Sequence, residues 1–230
     1  MKDLKIYIHN SILPNYQNAD EGHRQDHIMS VMDRSLRFAV AYNAAHAEHL
    51  NLEMVYAIAA FHDIALANGY DRSVHEIMSG RILAQDTVIR SLFSAQDIKT
   101  MQQAVEDHRA SDPNMPRSVY GMIVSQADRD TSTENFLMRM YVHRKNEPRF
   151  HDDFYALKQD MRQYMTRKYG PNGCALEKIW FYDPELEQFI RDMNLYIRND
   201  LAFTQALRRV IYRTDPARYR NYQSRAVAYL

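Results

Sequence analysis

His62 and Asp63 stand side by side within residues 55–66, the most apolar stretch of the chain. An imidazole and a carboxylate are costly to bury unless something binds them. A metal ion is the usual partner for such a pair, and His27, His75, His108 and Asp128 are available to complete its coordination shell. Two or more imidazoles with carboxylates suit a divalent ion of Mn, Mg, Fe, Co, Zn or Ni, as one ion or two. Such an ion brings the pKa of bound water towards neutrality and offsets charge developing on phosphoryl oxygens. The chemistry expected of the set is therefore hydrolysis.

Helices must carry these residues. Alternation of strand period never persists beyond a few residues, and the seven prolines fall between periodic segments. The pattern predicts helices over 24–49, 51–67, 73–91, 94–109, 117–129, 131–145, 150–168, 174–180 and 184–212. Asn51, Ser73 and Ser94 are placed to act as N-caps, and Gly69 to end the second helix. His27 begins an apolar stripe of Ile28, Val31, Met32 and Ser35. His62 shares a face with Val55, Ile58 and Ala59, and His75 with Met78, Ser79 and Ile82. His108 lies on the stripe of Ile98, Met101 and Val105, and Asp128 stacks four residues after Val124. The inner faces of five helices are thus expected to converge on one centre, as helical bundles do when they build metal sites.

The bulk numbers narrow the class. At 230 residues with 46% hydrophobic and 25% charged residues, the chain is an ordinary globular protein. Lys+Arg and Asp+Glu balance at 29 each, so no global field draws it to nucleic acid or anionic membrane. The apolar run 54–67 is too short to span a bilayer, and residues 1–9 lack a signal-peptide core. The single cysteine, Cys174, excludes an intramolecular disulfide and a Cys-rich zinc site. A cytoplasmic location is expected, with no membrane partner. Pro148, Gly170 and Pro171 suggest a division into a metal-binding helical core, 1–145, and a C-terminal helical extension, 146–230, with a loosely held Arg/Tyr-rich tail from 213.

The ordered set His27, His62-Asp63 and Asp128 resembles the HD superfamily of metal-dependent phosphohydrolases. Gln25-Asp26-His27-Ile28 is similar to the family's first-histidine helix, and Ala59-Ala60-Phe61-His62-Asp63-Ile64 to its dyad helix. Ser125-Gln126-Ala127-Asp128-Arg129 resembles the segment carrying its last aspartate; together these cover residues 20–135. The resemblance implies an all-α bundle and a phosphorylated small-molecule substrate, a phosphate ester or anhydride of the nucleotide type. His75-Glu76 and Asp107-His108 resemble the additional histidines that hold a second metal, or touch substrate phosphate, in some branches. The chain lacks the Gly-Tyr-Pro signature of the cyclic-dinucleotide branch. Ile64-Ala65-Leu66-Ala67 stands where alarmone hydrolases carry an acidic pair.

Around this set, the catalytic candidates are Asp63, the natural bridging ligand if two ions are held, and Asp130, placed to act as a base or bind solvent; Arg24, Arg72, Arg109 and Arg129 are candidates for binding phosphate. His23 lies one turn before His27. His46 and His49 suit a helix C-terminus better than a metal, and His143 and His151 carry no signal. The tail, with Arg208, Arg209, Tyr212, Arg213, Arg218, Tyr219, Arg220, Tyr222 and Arg225, interleaves cations with aromatics. That composition suits single strands of nucleic acid or a partner surface, with a solvated arm as the plainer reading. Two other functions fit the same residues: a di-iron HD-type oxygenase, or a non-catalytic metal-stabilised sensor or nucleic-acid-binding module. A homo-oligomer is compatible with the surface composition.

Overall fold

A computed structural model describes residues 2–19 and 25–227. It is all-α, with no strand among the described residues. The chain divides into two compact units: Met1–Arg129 with Lys178–Phe181, and Asp130–Glu177 with Tyr182–Leu230. The division falls at 129/130 rather than the expected 145/146. The helix after Asp130 is the reason, because its Phe136, Leu137, Met140 and Tyr141 belong to the second core.

The first unit opens with α1 (Lys2–Tyr7), a π-helical turn over Ile8–Ile12 and a 3₁₀ stretch over Leu13–Asn18, a segment the sequence pattern left unassigned. Then follow α2 (Gln25–Ala45), α3 (Leu52–Phe61), α4 (Ile64–Ala67), α5 (His75–Gln85), α6 (Thr87–Leu92), α7 (Ala95–Glu106) and α8 (Val119–Ala127). Helix α3 is buried on every side from Met54 to Phe61, as expected of a helix apolar all round. It packs against α2, α5, α7 and α8. Burying a side chain such as Phe61 or Ile58 contributes about 1.5–3 kcal/mol, so the α3 run fixes the centre of the unit.

Asn51 caps α3 by accepting from the amides of Glu53 and Met54, worth about 1 kcal/mol. Ser94 caps α7 in a reciprocal box with Asp97. Gly69 ends α4 at φ +80°, where a side chain would be strained. Ser73 does not cap; its hydroxyl and amide turn back to Asp71 Oδ1, and α5 begins two residues later. The segment expected as one helix over 73–91 is two, because Asp86 accepts from the amides of Val88 and Ile89 and starts α6 afresh.

The second unit comprises α9 (Thr133–Arg144), a 3₁₀ turn at Pro148–Phe150, α10 (Phe154–Tyr169), α11 (Pro184–Arg198), α12 (Asp200–Thr214) and α13 (Pro216–Val227). Leu157, Met161 and Met165 on α10 meet Leu186, Phe189 and Met193 on α11 and Phe203, Leu207, Val210 and Ile211 on α12. Asn199 caps α12 through the Ala202 amide and so splits the expected helix 184–212. Residues 174–180 are not helical; the amides of Trp180 and Phe181 donate to the Gln126 side chain instead. The tail is a helix rather than an arm. Tyr222 is buried and donates to the Phe150 carbonyl, Arg213 pairs with Glu134, and Arg218 donates to the Lys145 carbonyl. The side chain of Arg225 lies outside the described residues.

Candidate metal centre

The predicted helix 51–67 breaks at the His62-Asp63 pair, and that break makes the site. Successive residues of an unbroken helix diverge by about 100°, so an intact helix would aim the two side chains apart. Here Tyr16 donates its hydroxyl to the Ala60 carbonyl at 2.8 Å, and His62 Nδ1 takes the Ala59 carbonyl at 2.8 Å. These are the acceptors that would continue the ladder. The Ala65 amide donates to Ser79 Oγ on α5 at 3.1 Å instead. Asp63 leaves helical geometry at φ −115°, ψ 14°, and α4 starts in a new direction.

The other groups sit at helix ends as well, not along the inner faces that periodicity suggested. His75 is the first residue of α5, His108 follows the end of α7 by two residues, and Asp128 is the C-cap of α8. His27 likewise lies in the first turn of its helix, α2. Close contact of α5 with α7 brings His75 to His108. It depends on Gly80, where a Cβ would sit 2.9 Å from Glu106 Cγ and 3.0 Å from the Gln102 carbonyl.

Two groups of side chains result, sharing Asp63. His27, His62, Asp63 and Asp128 form one; Asp63, His75 and His108 form the other. Asp128 Oδ1 lies 3.0 Å from His27 Nε2 and 3.5 Å from His62 Nε2. Asp63 directs Oδ2 to His62 Nε2 at 3.4 Å and Oδ1 to His75 and His108 Nε2 at 3.3 and 3.5 Å. His75 and His108 face each other Nε2 to Nε2 at 3.2 Å.

The tautomers follow from the backbone. His62, His75 and His108 each place Nδ1 at 2.7–2.8 Å from the carbonyl three residues earlier, those of Ala59, Arg72 and Val105. A carbonyl only accepts, so each Nδ1 carries a proton and each ring turns Nε2 inwards. Those nitrogens meet carboxylate oxygens and one another. Such a cluster needs positive charge among its members, an added proton or a metal cation. His62 Nε2 is fully buried and makes no hydrogen bond of proper geometry. The residues therefore fit a divalent metal, with the second ring nitrogen fixed by a backbone acceptor as metal-binding histidines require.

The electrostatics agree. Burial lowers the His62 pKa, but the charges of Asp63 and Asp128 close to the ring outweigh it and lift it to about 9. Burial raises both carboxyls, yet the facing histidines hold Asp63 and Asp128 well below the usual carboxylate range. Burial, with the His108 charge beside it, pushes His75 down. The field that retains a proton on His62 favours a cation in its place.

The arginines and Asp130 divide. Arg109, 38% exposed, donates to Glu76 Oε1 at 3.2 Å, and Glu76 Oε2 lies 3.1 Å from His75 Nδ1. Arg72 is exposed, and its carbonyl fixes His75. Arg129 instead donates to the Lys178 carbonyl at 2.7 Å. Asp130 pairs with Arg139 within the second unit. Arg24 and His23 lie outside the described residues. His46 stacks on Tyr42 and contacts its carbonyl at a helix end.

Several supporting residues escaped the sequence reading. Tyr16 releases the dyad from its helix. Arg34, buried on α2, donates to the carbonyls of Ala127 and Arg129 at 2.5 and 2.7 Å and so holds the backbone on either side of Asp128. A charged residue within an otherwise apolar helix face was the available signal for Arg34; nothing local marks Tyr16. No helix among the described residues is long and apolar enough to cross a membrane.

The HD domain family model matches residues 24–132. No curated protein and no solved structure matches the chain.

Proposed function

We propose that the HD domain this chain carries over residues 24–132 is a metal-dependent phosphohydrolase acting on a phosphate ester or anhydride of the nucleotide class. The observation that carries the reading is the pair of ligand groups sharing Asp63, with three histidines fixed by backbone carbonyls so that Nε2 faces inwards. His27, His62, Asp63 and Asp128 would hold a divalent ion. Asp63 also faces His75 and His108, which would hold a second ion or steady the substrate phosphate. A bound divalent metal supplies Lewis acidity towards a phosphoryl oxygen and activates water near neutral pH.

The protein's own groups do the rest. The carbonyls of Ala59, Arg72 and Val105 hold the imidazole rings in one tautomer, so no reorientation is needed when substrate arrives. Arg109, anchored by Glu76 and partly open to solvent, supplies a charge-assisted donor to a phosphate oxygen. Asp130 and Arg129 are engaged elsewhere and have no part in the proposal.

The shared carboxylate also supports a second reading, a di-iron centre that activates oxygen. The metal content of protein purified without oxygen separates the two readings. Hydrolysis of nucleotides with Mn²⁺ or Mg²⁺, lost together with metal in Asp63→Ala, supports the first. Two redox-active irons with no hydrolysis support the second. Full metal content and turnover in Asp63→Ala refute both.

A further inference from the structure

Lys178–Phe181 belongs to the first unit although the chain on either side of it belongs to the second. Its contacts bracket both ligand groups. Lys178 is buried, and its ammonium donates to the carbonyls of Asp112 and Asn114, the latter at 2.5 Å. Those carbonyls lie four and six residues after His108. The same loop is tied at its far end by Arg117, which reaches Glu106 and Asp107 at 2.7 and 2.8 Å.

The other contacts flank Asp128. Gln126, fully buried, accepts from the Trp180 and Phe181 amides at 2.8 and 2.9 Å and donates to the Phe181 carbonyl at 2.8 Å. Arg129 donates to the Lys178 carbonyl. Phe181 stacks on Phe38 of α2 with ring centroids 5.4 Å apart, and Arg34, four residues before Phe38, holds the Ala127 and Arg129 carbonyls. One four-residue segment thus joins the loop after His108, in one ligand group, to the turn carrying Asp128, in the other.

We propose that Lys178–Phe181 is a strap that sets the geometry of the metal centre, with Lys178 as its positioning residue. A buried ammonium whose acceptors are loop carbonyls fixes that loop, because releasing it would leave the charge unsatisfied in the interior. The contacts described for the strap are to residues other than those that would bind metal. It acts by holding the backbone from which His108 and Asp128 project. The inference rests on the metal-binding reading above.

The test compares Lys178→Met with Lys158→Met in the full chain, using Co²⁺ as the probe. Lys158 is a comparably buried lysine of the second unit. Co²⁺ affinity and the visible absorption of the bound ion are measured, because that absorption reports coordination geometry independently of turnover. Lys178→Met is expected to weaken Co²⁺ binding about 10–100-fold, the usual loss when support outside the ligands is removed, and to alter the spectrum. Lys158→Met is expected to change neither. Phe181→Leu, which keeps an apolar side chain against Phe38, gives a smaller shift in the same direction and serves where Lys178→Met does not fold. Wild-type affinity and spectrum in both strap variants overturn the strap while leaving the metal centre standing. Wild-type protein that binds no Co²⁺ overturns the metal centre itself, and the strap with it.

Discussion

In the second unit Lys158 meets Asp200 at 2.9 Å and Thr204 at 3.2 Å, and Tyr141 donates to Asp215 at 3.2 Å. These two polar groups drawn towards that core find complementary partners. In the first unit His62, Asp63, His75 and His108 are as deeply buried, but they turn ring nitrogens and carboxylate oxygens towards one another. Donor matched with acceptor is what a bundle needs to be stable. A buried cluster of ring nitrogens and carboxylates is tolerated where a cation is expected, and it marks which unit could hold a metal.

The largest effect that breaks or upholds this contrast belongs to Asp63→Ala. Several kcal/mol of charge stabilisation come from a metal, or about a thousandfold at 1.4 kcal/mol per decade. Turnover is expected to fall by at least that much and bound metal, measured by elemental analysis, to disappear. Next is Phe189→Ala in the second core. It is expected to cost about 3–5 kcal/mol in urea unfolding and to leave metal affinity untouched; a parallel loss of affinity would sink the division of labour.

Metal addition is expected to be local. At one hundred times its dissociation constant a ligand stabilises what it binds by about 2.7 kcal/mol. Amide exchange should slow in α2, α3 and α8 and stay constant in α11 and α12. Uniform slowing across both units contradicts the contrast.

The smallest effect concerns acid. The Arg218 amide, opposed by burial and aided by the Tyr141 hydroxyl, holds the Asp215 carboxyl below its ordinary value. That stabilisation is present above the unfolded pKa of about 3.9 and is lost as pH falls through the lower folded value. Asp215→Asn is therefore expected to flatten the acid limb of the stability profile without altering metal binding at neutral pH. An unchanged acid limb rejects the assignment.

The sequence revealed what depends on residue type and period. The apolar run to Phe61 announced a buried central helix, and the ordered set from His27 to Asp128 pointed to one centre. What it concealed depends on long-range partners. The break at His62-Asp63 rests on Tyr16, more than forty residues earlier in the chain. The unwinding of 174–180 rests on Gln126, and the assignment of α9 to the second core rests on helices still to come. Likewise, a stripe such as Ile98, Met101, Val105 and His108 reads as one continuous face, although α7 ends at Glu106 and His108 lies beyond it. Apolar period locates the helix; the capture of its last carbonyls decides where it stops.

The strap also bears on synthesis. The first unit includes Lys178–Phe181, so it lacks a piece of itself until about fifty residues after Arg129 have been translated, a delay of roughly 3–10 s at 5–20 residues per second. During that interval the Gln126 side chain has no Trp180 or Phe181 amide to accept. A nascent chain arrested before residue 178 should therefore present to chaperones and proteases an Asp128 turn held by Arg34 without the strap, and one arrested well beyond Phe181 should not.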